Sequence, residues 1–364
     1  MAPKPPQRFV KKVGAISSDW SRSVPDARGY PALGGAGWAR IGQVAKHSKH
    51  HWVTGTLFSS DRSVGVRTWD HNVHLDVPIL VVQRQMRYTF PDEIHKARSN
   101  GQVVINDLDD WFWGLHKSNA AYRLTDPKKN RISNIDHYKD VLLASDLVVV
   151  STPFLAEQLS KWSDSLRIIL IRNGVDVDYF STRLQRQVDP VIGWAGSTAH
   201  RSDDLQLLKS VCAELPDATF AHTGWHPSAP QFHDEVGIEA SRVLNTPMLA
   251  PHQYVHGLNF DIGLIPLTNI PFNQAKSNIK GLEYAAAGIP FIASPLPEYV
   301  YLAEELGIGR LASSSSDWVQ HIAELQDADL RREEAKRQRA LLTAHALDAK
   351  TQARAWDELI WSYP

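Results

Sequence analysis

The sequence has little cysteine, no surplus of charge of either sign and no long apolar run. Its single cysteine, Cys212, excludes a framework of internal disulfides and is typical of a reducing compartment. The 39 basic and 40 acidic residues give a formal net charge of −1, so any contact with nucleic acid would rely on a local basic patch. No apolar run approaches the roughly 20 residues of a membrane-spanning helix, and the basic, proline-rich start lacks the apolar region of a secretory signal. We therefore expect a soluble, cytoplasmic protein.

The length and composition are those of an ordinary globular chain. At roughly 150 residues per domain, 364 residues predict about two domains, each large enough to bury a core. Hydrophobic residues make up 43% and charged residues 22%, which excludes a disordered chain. The 12 tryptophans are unusual. They suit either a core or stacking platforms for sugars and bases, and composition alone does not decide between the two.

Short apolar runs alternate with helical patterns throughout the first half of the chain. Such nearly continuous apolar runs are typical of parallel strands covered on both faces, and helices are predicted between them, for example over 37–47 and 153–162. The predicted strands are PILVVQ (78–83), QVVIND (102–107), DLVVVST (146–152) and LRIILIRNG (166–174). This alternation predicts a Rossmann-like parallel sheet.

The same alternation restarts after a polar stretch at 181–190, where we place a domain boundary. The predicted strands here are VIGWAG (191–196), ATFAHTG (218–224), FDIGLIPL (260–267) and PFIAS (290–294), with helices over 202–215, 277–287 and 316–326. A charged helix follows residue 327, and a final helix, 344–363, carries Trp356 and Trp361. The predicted fold is α/β, with two Rossmann-like domains facing a cleft, residues 1–182 and 183–344. Clefts of this kind usually bind ligands.

The most informative segment is AKSNIKGLEYAAAGIPFIAS, residues 275–294. Ser277 can cap a helix that begins at Asn278. Gly288 can end that helix in a left-handed conformation, and Pro290 blocks its continuation. The pattern therefore predicts a short helix that leads directly into a buried strand.

Two lysines lie at the positive end of this helix, where an acid is usually found. Lys276 and Lys280 each cost about 0.3–1 kcal/mol in that position, whereas a bound anion would remove the conflict. Exposed N–H groups and two lysines together favour a phosphate site, and Glu283, one turn further, could accept hydrogen bonds from a ribose diol. The alternative is an exposed lysine pair tolerated for solubility.

A glycine-rich turn precedes the helix predicted over 37–47. Gly34, Gly35 and Gly37 let the backbone approach a ligand closely, and Gly35 is a candidate donor contact. The helix has no acid in its own first turn and carries Arg40 early. A plain loop explains this turn equally well, because glycine-rich turns are common.

The second predicted domain opens with a strand that ends in a small-residue turn. Gly196, Ser197 and Arg201 in this turn are candidates for contacts with an anion. Asp203 and Asp204 already occupy the first turn of the next helix, so we expect any such contact to come from side chains and not from the helix end.

Four segments resemble the GT-B fold glycosyltransferases, specifically those of glycosyltransferase family 4. They occur over most of the chain, in the order and at the spacing of that family. The segments are GGAG (34–37), IRNGVDVDYF (171–180), IGWAGSTAHRSD (192–203) and FNQAKSNIKGLEYAAAGIPFIAS (272–294). The last is the most specific.

The resemblance implies a nucleotide-sugar donor in the C-terminal domain and an acceptor in the N-terminal domain, to which the final helix, 345–364, returns. Glu283 matches the glutamate that holds the donor ribose. Ser277 and Asn278 match the turn whose N–H groups meet the diphosphate. Lys280 matches the basic position of the KxxE variant of the E-x7-E motif, and Arg201 is near a basic residue that neutralises the diphosphate.

The implied reaction moves a sugar from a donor such as a UDP- or GDP-sugar, with retention of configuration and without a required metal cofactor. Lys280, Arg201 and the helix-end N–H groups would stabilise the departing diphosphate, each preorganised donor being worth about 2.7–4 kcal/mol. One departure matters: Ala275 stands where the family has the first glutamate of the motif, which usually contacts the donor sugar. The identity of the sugar is therefore left open.

A competing pattern is NDLDDWFWGLH, residues 106–116. Its Asp107-Leu108-Asp109 looks like the metal-binding DxD of GT-A glycosyltransferases, although the second half of the chain argues against that fold. We expect these acids at the carboxyl edge of the first sheet, facing the cleft. Asp109 or Asp110 would then orient an acceptor hydroxyl, with Trp111 and Trp113 as stacking surfaces. The alternative is a capping acid and two core tryptophans.

Three functional hypotheses follow. The first is a glycosyltransferase with an unknown glycan, lipid or protein acceptor. The second is a catalytically silent protein that binds a sugar nucleotide or a glycan, which the alanine at 275 makes credible. The third is a glycosyltransferase acting on modified DNA or on proteins, with the basic loop 128–131 as acceptor surface.

Overall fold

The computed structural model describes residues 9–180, 185–200 and 202–363. The predicted domain boundary after residue 182, and Arg201, lie outside the described residues. Among the residues described, one mixed sheet belongs to the first half of the chain and one parallel sheet to the second, and a small β2–β3 hairpin lies beside the first.

The first sheet has the strand order β10-β9-β8-β7-β1-β4-β5-β6. The strands from β10 to β4 are parallel, and β5 and β6 extend the edge in antiparallel fashion. The strands of this half are β1 (Lys12–Ser17), β2 (Trp20–Pro25), β3 (Pro31–Leu33), β4 (His51–Ser59), β5 (Val64–Arg67), β6 (Val73–His74), β7 (Ile79–Gln83), β8 (Val103–Leu108), β9 (Leu147–Val150) and β10 (Ile168–Leu170).

Helices cover both faces of this sheet. The first of them is continuous over 35–47 and contains a wider π-helical turn, Trp38–Gly42, between α1 and α2. The helices are α1 (Gly35–Gly37), α2 (Gln43–His47), α3 (Phe90–Ser99), α4 (Ala120–Thr125), α5 (Ile135–Ala144) and α6 (Pro153–Ser160).

The second sheet is parallel throughout, with the order β13-β12-β11-β14-β15-β16. Its strands are β11 (Ile192–Ala195), β12 (Phe220–Trp225), β13 (Val243–Pro247), β14 (Ile262–Ile265), β15 (Phe291–Ala293) and β16 (Arg310–Leu311). The helices are α7 (Ser202–Gln206), α8 (Lys209–Ala213), α9 (Phe232–Val236), α10 (Pro251–Gly257), α11 (Pro271–Gln274), α12 (Ile279–Ala286), α13 (Pro297–Val300), α14 (Ser315–Glu324), α15 (Ala328–Ala344) and α16 (Ala349–Trp361).

The final helix returns to the first half, as predicted. Trp356 of α16 is fully buried among core residues of the first sheet, which include Val13, Ile79 and Ile105. The backbone bridge between Val175 and Asp348 places the start of this helix beside the segment that follows β10. The predicted α/β architecture is therefore confirmed.

Several local predictions are confirmed and others need correction. Gly288 ends α12 at φ +72°, as expected of a left-handed C-terminal glycine, and Cys212 is buried in the core. The predicted helix 202–215 is instead broken into α7 and α8, and the strand predicted over 166–174 is only three residues long. Sequence patterns also missed β1, β4 and β5, in which glycines at 14, 55 and 65 interrupt the apolar runs.

Candidate functional site

The helix that carries Lys280 begins without a capping side chain. Asn278, and not Ser277 as predicted, is its N-cap residue, and no acid lies in its first turn. Asn278 is buried and directs its amide to Glu298 at 3.4 Å, away from the helix N–H groups. Ser277 Oγ instead accepts a 2.7 Å hydrogen bond from Asn173 of the first half.

Lys280 lies at the carboxyl end of the central strand β11. Its ammonium group donates to the carbonyl of Ala195, the last residue of that strand. The N–H of Ala195 donates to the phenol oxygen of Tyr284, one turn further along α12, at 2.9 Å. These two contacts fix the start of α12 beside the turn that contains Gly196 and Ser197, so the structure brings two predicted donor segments together.

The backbone of this turn is tightly packed. The N–H of Gly196 donates to the carbonyl of Thr223 at 2.8 Å, so it is not available to a ligand. Gly196 and Gly224 lie side by side at the ends of neighbouring strands. A Cβ atom on Gly224 would lie 2.5 Å from the Gly196 carbonyl oxygen, so a residue with a side chain does not fit at 224. Ser197 is half-buried, and the buried hydroxyl of Thr198 has no hydrogen-bond partner among the residues described.

Glu283 lies one turn beyond Lys280, as the spacing predicts. Its carboxylate accepts a 3.2 Å hydrogen bond from the hydroxyl of Tyr254 on α10. Burial raises the pKa of Glu283 to about 7, although Lys280 and the Tyr254 hydroxyl both act to lower it. A half-buried carboxyl that titrates near neutrality is typical of a functional site.

Asp204 lies in the first turn of α7, as predicted. Its carboxylate also accepts hydrogen bonds from the Thr268 N–H at 2.8 Å and hydroxyl at 2.7 Å, and from Asn273 Nδ2 at 2.8 Å. Its charge therefore fixes the loop that leads into α11 and the Lys276 segment.

Acidic side chains meet two cations at the carboxyl edge of the first sheet. Arg84, which follows β7, donates to both oxygens of Asp109 at 3.1 and 2.7 Å and to Asp110 at 2.6 Å. The other oxygen of Asp110 accepts a 2.6 Å hydrogen bond from Lys276 of the second half. Asp19 lies 3.9 Å from Arg84. The predicted acidic edge thus faces the predicted donor segment across a closed contact between the two halves.

Asp109 is an acid of this cluster whose pKa is raised by its surroundings. Burial raises the pKa of Asp109 to about 6, with the neighbouring Asp110 acting in the same direction and Arg84 opposing both. This shift brings the pKa of Asp109 closer to neutral pH than that of an ordinary aspartate.

Trp111 and Trp113 pack against other aromatic residues. Their ring centroids are 4.7 Å apart, and Trp162 lies 5.3 and 4.6 Å from them. Trp113 also stacks on Tyr138 at 5.7 Å, and Trp111 is buried. This arrangement favours the alternative in which both are core residues, and their contact with an acceptor stays a prediction.

The start of the glycine-rich helix contacts an acid that lies outside the helix, Asp19. Asp19 Oδ2 accepts a 2.8 Å hydrogen bond from the N–H of Gly37, and a Cβ atom on Gly34 would lie 2.2 Å from Asp19 Oδ1. Gly34 therefore permits this close approach. Gly35 is exposed beside it, and its donor contact stays a prediction.

The early arginine of this helix forms a fully buried ion pair. Arg40 Nη2 lies 2.7 Å from Asp107 Oδ1, and both side chains are at most 1% exposed. Arg40 Nη1 also donates to Asn173 Oδ1 at 3.0 Å, and Gln83 donates to the remaining Asp107 oxygen at 3.1 Å. Asp107, the first acid of the DxD-like pattern, is therefore engaged by a guanidinium group. The network continues through Asn173 to Ser277.

Ala275 is buried in the core of the first half. It packs with the cluster that contains Trp111 and Leu108, and its carbonyl accepts a 3.2 Å hydrogen bond from Thr152 Oγ1. The site where the resemblance expects a carboxylate therefore contacts the first half directly. The next residue, Lys276, reaches an acid across this contact, Asp110.

Sequence reasoning missed Arg84, Asn173, Tyr254 and Glu298. Arg84 and Asn173 each follow a parallel strand of the first half. This position, at the carboxyl edge of the sheet, was the sequence signal that could have identified them as site residues. Tyr254 carried no signal, because its place opposite Glu283 depends on the packing of α10. Neither a candidate metal-binding cluster of His, Cys, Asp and Glu nor a helix able to cross a membrane occurs among the described residues.

No family model matches this chain. TuaH, a Bacillus subtilis (strain 168) protein assigned as a teichuronic acid biosynthesis glycosyltransferase, is 24% identical over 222 residues, which is 58% of this chain and 55% of TuaH. The matched region thus spans only about half the length of that relative.

Solved structures match over nearly the whole chain. Anabaena HepE in complex with UDP and glucose gives a TM-score of 0.66 at 14% identity, covering 97% of this chain and 100% of HepE. Sucrose-phosphate synthase from Thermosynechococcus elongatus gives 0.65 at 14% identity, covering 96% and 98%. A glycosyltransferase from Rickettsia africae gives 0.62 at 13% identity, covering 97% and 98%. The chain therefore has the GT-B glycosyltransferase fold.

Proposed function

We propose that this protein is a retaining glycosyltransferase of the family 4 type, which transfers a sugar from a nucleoside diphosphate to an acceptor hydroxyl. The observation that carries the proposal is the position of Lys280. Its ammonium group lies at the carboxyl end of β11, beside an uncapped helix start and next to the segment that meets Asp110. In this proposal residues 183–344 bind the donor, and residues 1–182 with the returning helix 345–364 bind the acceptor.

The diphosphate is held by the start of α12. The N–H groups after Asn278 and the ammonium of Lys280 provide positive charge where the leaving group develops its negative charge. Ser197 lies on the neighbouring turn, and Arg201 would add a second cation. Because Asp107 is already bound by Arg40, these groups, and not a divalent metal ion, neutralise the charge of the diphosphate.

The ribose of the donor is held by Glu283. An ionised carboxylate can accept hydrogen bonds from both hydroxyls of a ribose diol, and Tyr254 fixes its orientation from the other side. The cost of burying this charge is visible in the raised pKa of the group. Such a cost is expected where a carboxylate is retained for ligand binding.

The acceptor hydroxyl is oriented at the edge of the first sheet. Asp109 accepts a hydrogen bond from the hydroxyl, while Arg84 holds the carboxylate in place. The bond between sugar C1 and the phosphate oxygen breaks with its electron pair going to the diphosphate. The acceptor oxygen bonds to C1 on the same face, and its proton passes to the departing phosphate oxygen. Asp110, Trp111 and Trp113 are proposed to shape the acceptor side.

A uridine diphosphate sugar is the donor that the neighbours favour. HepE, which shares the fold over the whole chain, has been solved with UDP, with UDP and glucose, and with UDP-glucose. The name of the TuaH relative states glycosyltransferase activity and no donor. We propose a UDP-sugar first and a GDP-sugar second.

A two-step screen tests the proposal. Thermal shift against UDP-, GDP-, ADP- and TDP-sugars identifies the donor, because a ligand at 100 times its Kd stabilises a protein by about 2.7 kcal/mol. Release of nucleoside diphosphate from that donor, with and without candidate acceptors, then measures transfer, and NMR of the product reports its anomeric configuration. Binding without any release would favour the silent binding protein. No shift with any of the four would overturn the proposal.

A further inference from the structure

A large cavity lies in the first half, on the far side of the 35–47 helix from Asp107. Its volume is about 730 Å³, within the range of about 300–1,000 Å³ typical of ligand pockets. Aromatic rings supply much of its wall. They are Trp20, Tyr30, Trp38, Trp52 and Trp69, and Pro251 of the second half also lines the cavity.

Three of the four indoles that line the cavity have contacts outside it, and the fourth, Trp69, packs edge to face on Trp20 with ring centroids 5.2 Å apart. Trp20 donates its N–H to the Ser17 carbonyl at 2.7 Å. Trp52 packs edge to face on the buried Trp356, and the Trp38 ring lies 6.1 Å from that of Tyr179. Because these partners do not line the cavity, Trp20, Trp52 and Trp38 are positioned without a ligand, and Trp69 is positioned through Trp20. Preorganised aromatic surfaces of this kind are costly to leave exposed without a function.

The polar groups of the lining identify the class of ligand. Arg28 is paired with Asp26 at 3.1 Å, and Asp70 accepts a 2.9 Å hydrogen bond from Asn72. The lining thus carries two carboxylates against one paired guanidinium, which disfavours a polyanion. Hydroxyls and histidines complete it, among them Thr54 and His51. Apolar faces with a rim of hydrogen-bonding groups match a sugar ring, which has an apolar C–H face and polar edges.

The cavity lies next to the acidic cluster of the candidate site. Trp20 directly follows Asp19, which contacts both Gly37 and Arg84. Trp38 and Gly42 line the cavity from the 35–47 helix, whereas Arg40 of the same helix points the other way into the network with Asp107. A chain seated in the cavity would therefore have one end close to the residues proposed to receive the acceptor.

We propose that this cavity is a binding site for an uncharged oligosaccharide, which holds part of a glycan acceptor at a distance from its reacting hydroxyl. The proposal that the cavity binds a saccharide does not depend on the proposed function. The proposal that this saccharide is part of the acceptor rests on that function. The cavity accounts for four of the tryptophans whose number was unusual in the sequence.

Calorimetry with three neutral probes tests this inference: maltopentaose, cellopentaose and penta-N-acetylchitopentaose, with pentagalacturonate as the acidic comparison. The full chain is titrated as wild type, Trp69→Ala, Ala45→Leu and Trp361→Ala. Ala45 lines the cavity, so leucine fills it without removing an aromatic ring, and Trp361 is a half-buried indole of the same half that does not line it. UDP is titrated into each protein in parallel.

We expect at least one neutral probe to bind, and to bind about tenfold more weakly to Trp69→Ala and to Ala45→Leu, with Trp361→Ala and UDP affinity unchanged. The inference is overturned if no neutral probe binds, if neither cavity variant weakens binding, or if pentagalacturonate binds more tightly than every neutral probe. Loss of UDP binding in the wild type would instead contradict the proposed function and leave the saccharide result standing.

Discussion

Asn173 and Ser277 join the two halves of the molecule through a 2.7 Å hydrogen bond from the Asn173 amide to the Ser277 hydroxyl. Asn173 is 5% exposed, and its other amide atom accepts a bond from Arg40. The bond therefore links the buried ion pair of the first sheet to the residue that precedes the Lys280 helix. We expect the correct placement of the proposed diphosphate site to depend on this link.

Asn173→Ala should loosen the donor segment as well as destabilise the protein. It leaves buried partners unsatisfied, a cost of about 1–3 kcal/mol, and should weaken UDP binding. Urea unfolding of Asn173→Ala, Ser277→Ala and the double variant gives the coupling free energy, which we expect to be about 0.5–3 kcal/mol. Strictly additive effects would show that the bond does not connect the halves energetically.

Arg40→Ala should be among the most destabilising single substitutions of a charged residue in this chain. Removal of one partner from a fully buried ion pair leaves the Asp107 charge uncompensated, at a cost of about 3–5 kcal/mol. Arg332→Ala is the matched control, because it removes an arginine from an exposed pair with Asp329 and should cost about 0–1 kcal/mol. Equal losses in denaturant unfolding would contradict the burial argument.

Glu283→Gln should change the pH dependence of protein stability and, separately, weaken the binding of UDP. The pKa of Glu283 is raised by burial from its ordinary value of 4.5 to about 7, so the folded protein holds a proton that the unfolded chain has lost between these values. The contribution of this group to stability is thus fully present below pH 4.5 and is lost as pH rises through about 7. Relative to the wild type, Glu283→Gln should be more stable at pH 8 than at pH 5.

Binding measurements complete the test of Glu283. The variant should bind UDP more weakly and lose the preference for UDP over its 2′-deoxy form, since that preference is assigned to the carboxylate. Glu157→Gln, at an exposed helix position, controls for the removal of a carboxylate. A wild type that binds the two nucleotides equally would remove the ribose role.

Asp109→Asn should affect transfer far more than donor binding. The pKa of Asp109 is raised to about 6, so its carboxylate becomes available to an acceptor hydroxyl as pH rises through that value. We expect transfer to rise across the same interval in the wild type. The asparagine variant should be slower by about 100-fold, without this rise, and with UDP affinity unchanged. A variant with the wild-type pH profile would exclude Asp109 from the reaction.

The parallel strands of both halves were predictable because burial on both faces makes them continuous apolar runs, as in β7, β8 and β9. Strand β4 was not predictable, because Gly55 interrupts its apolar pattern. Glycine is required at this position, since a Cβ atom would lie 2.2 Å from the Arg67 carbonyl oxygen. The short helix at 279–286 was predictable from Gly288 and Pro290, which act locally. The N-cap residue is one position later than predicted, because the Ser277 hydroxyl is hydrogen-bonded to Asn173.

The candidate site was predictable only where residues share one segment. Lys280 and Glu283 are separated by one helical turn, so their common face follows from the sequence. The contact between Asp110 and Lys276 joins positions 166 residues apart, and no local pattern encodes it. The same holds for the aromatic cavity, whose walls come from the β2–β3 hairpin, the 35–47 helix, β4, the segment 68–74 and Pro251.

Calorimetric titration of UDP into wild type and Lys280→Ala tests the central claim most directly. Lys161→Ala, which removes an exposed lysine directly after α6, is the matched control. We expect the wild type and the control to bind equally and Lys280→Ala to bind at least about tenfold more weakly, because a charge-assisted contact contributes about 1.5–3 kcal/mol. Unfolding of Lys280→Ala should remain cooperative. Equal UDP affinity in all three folded proteins would contradict the assignment of the diphosphate to the start of α12.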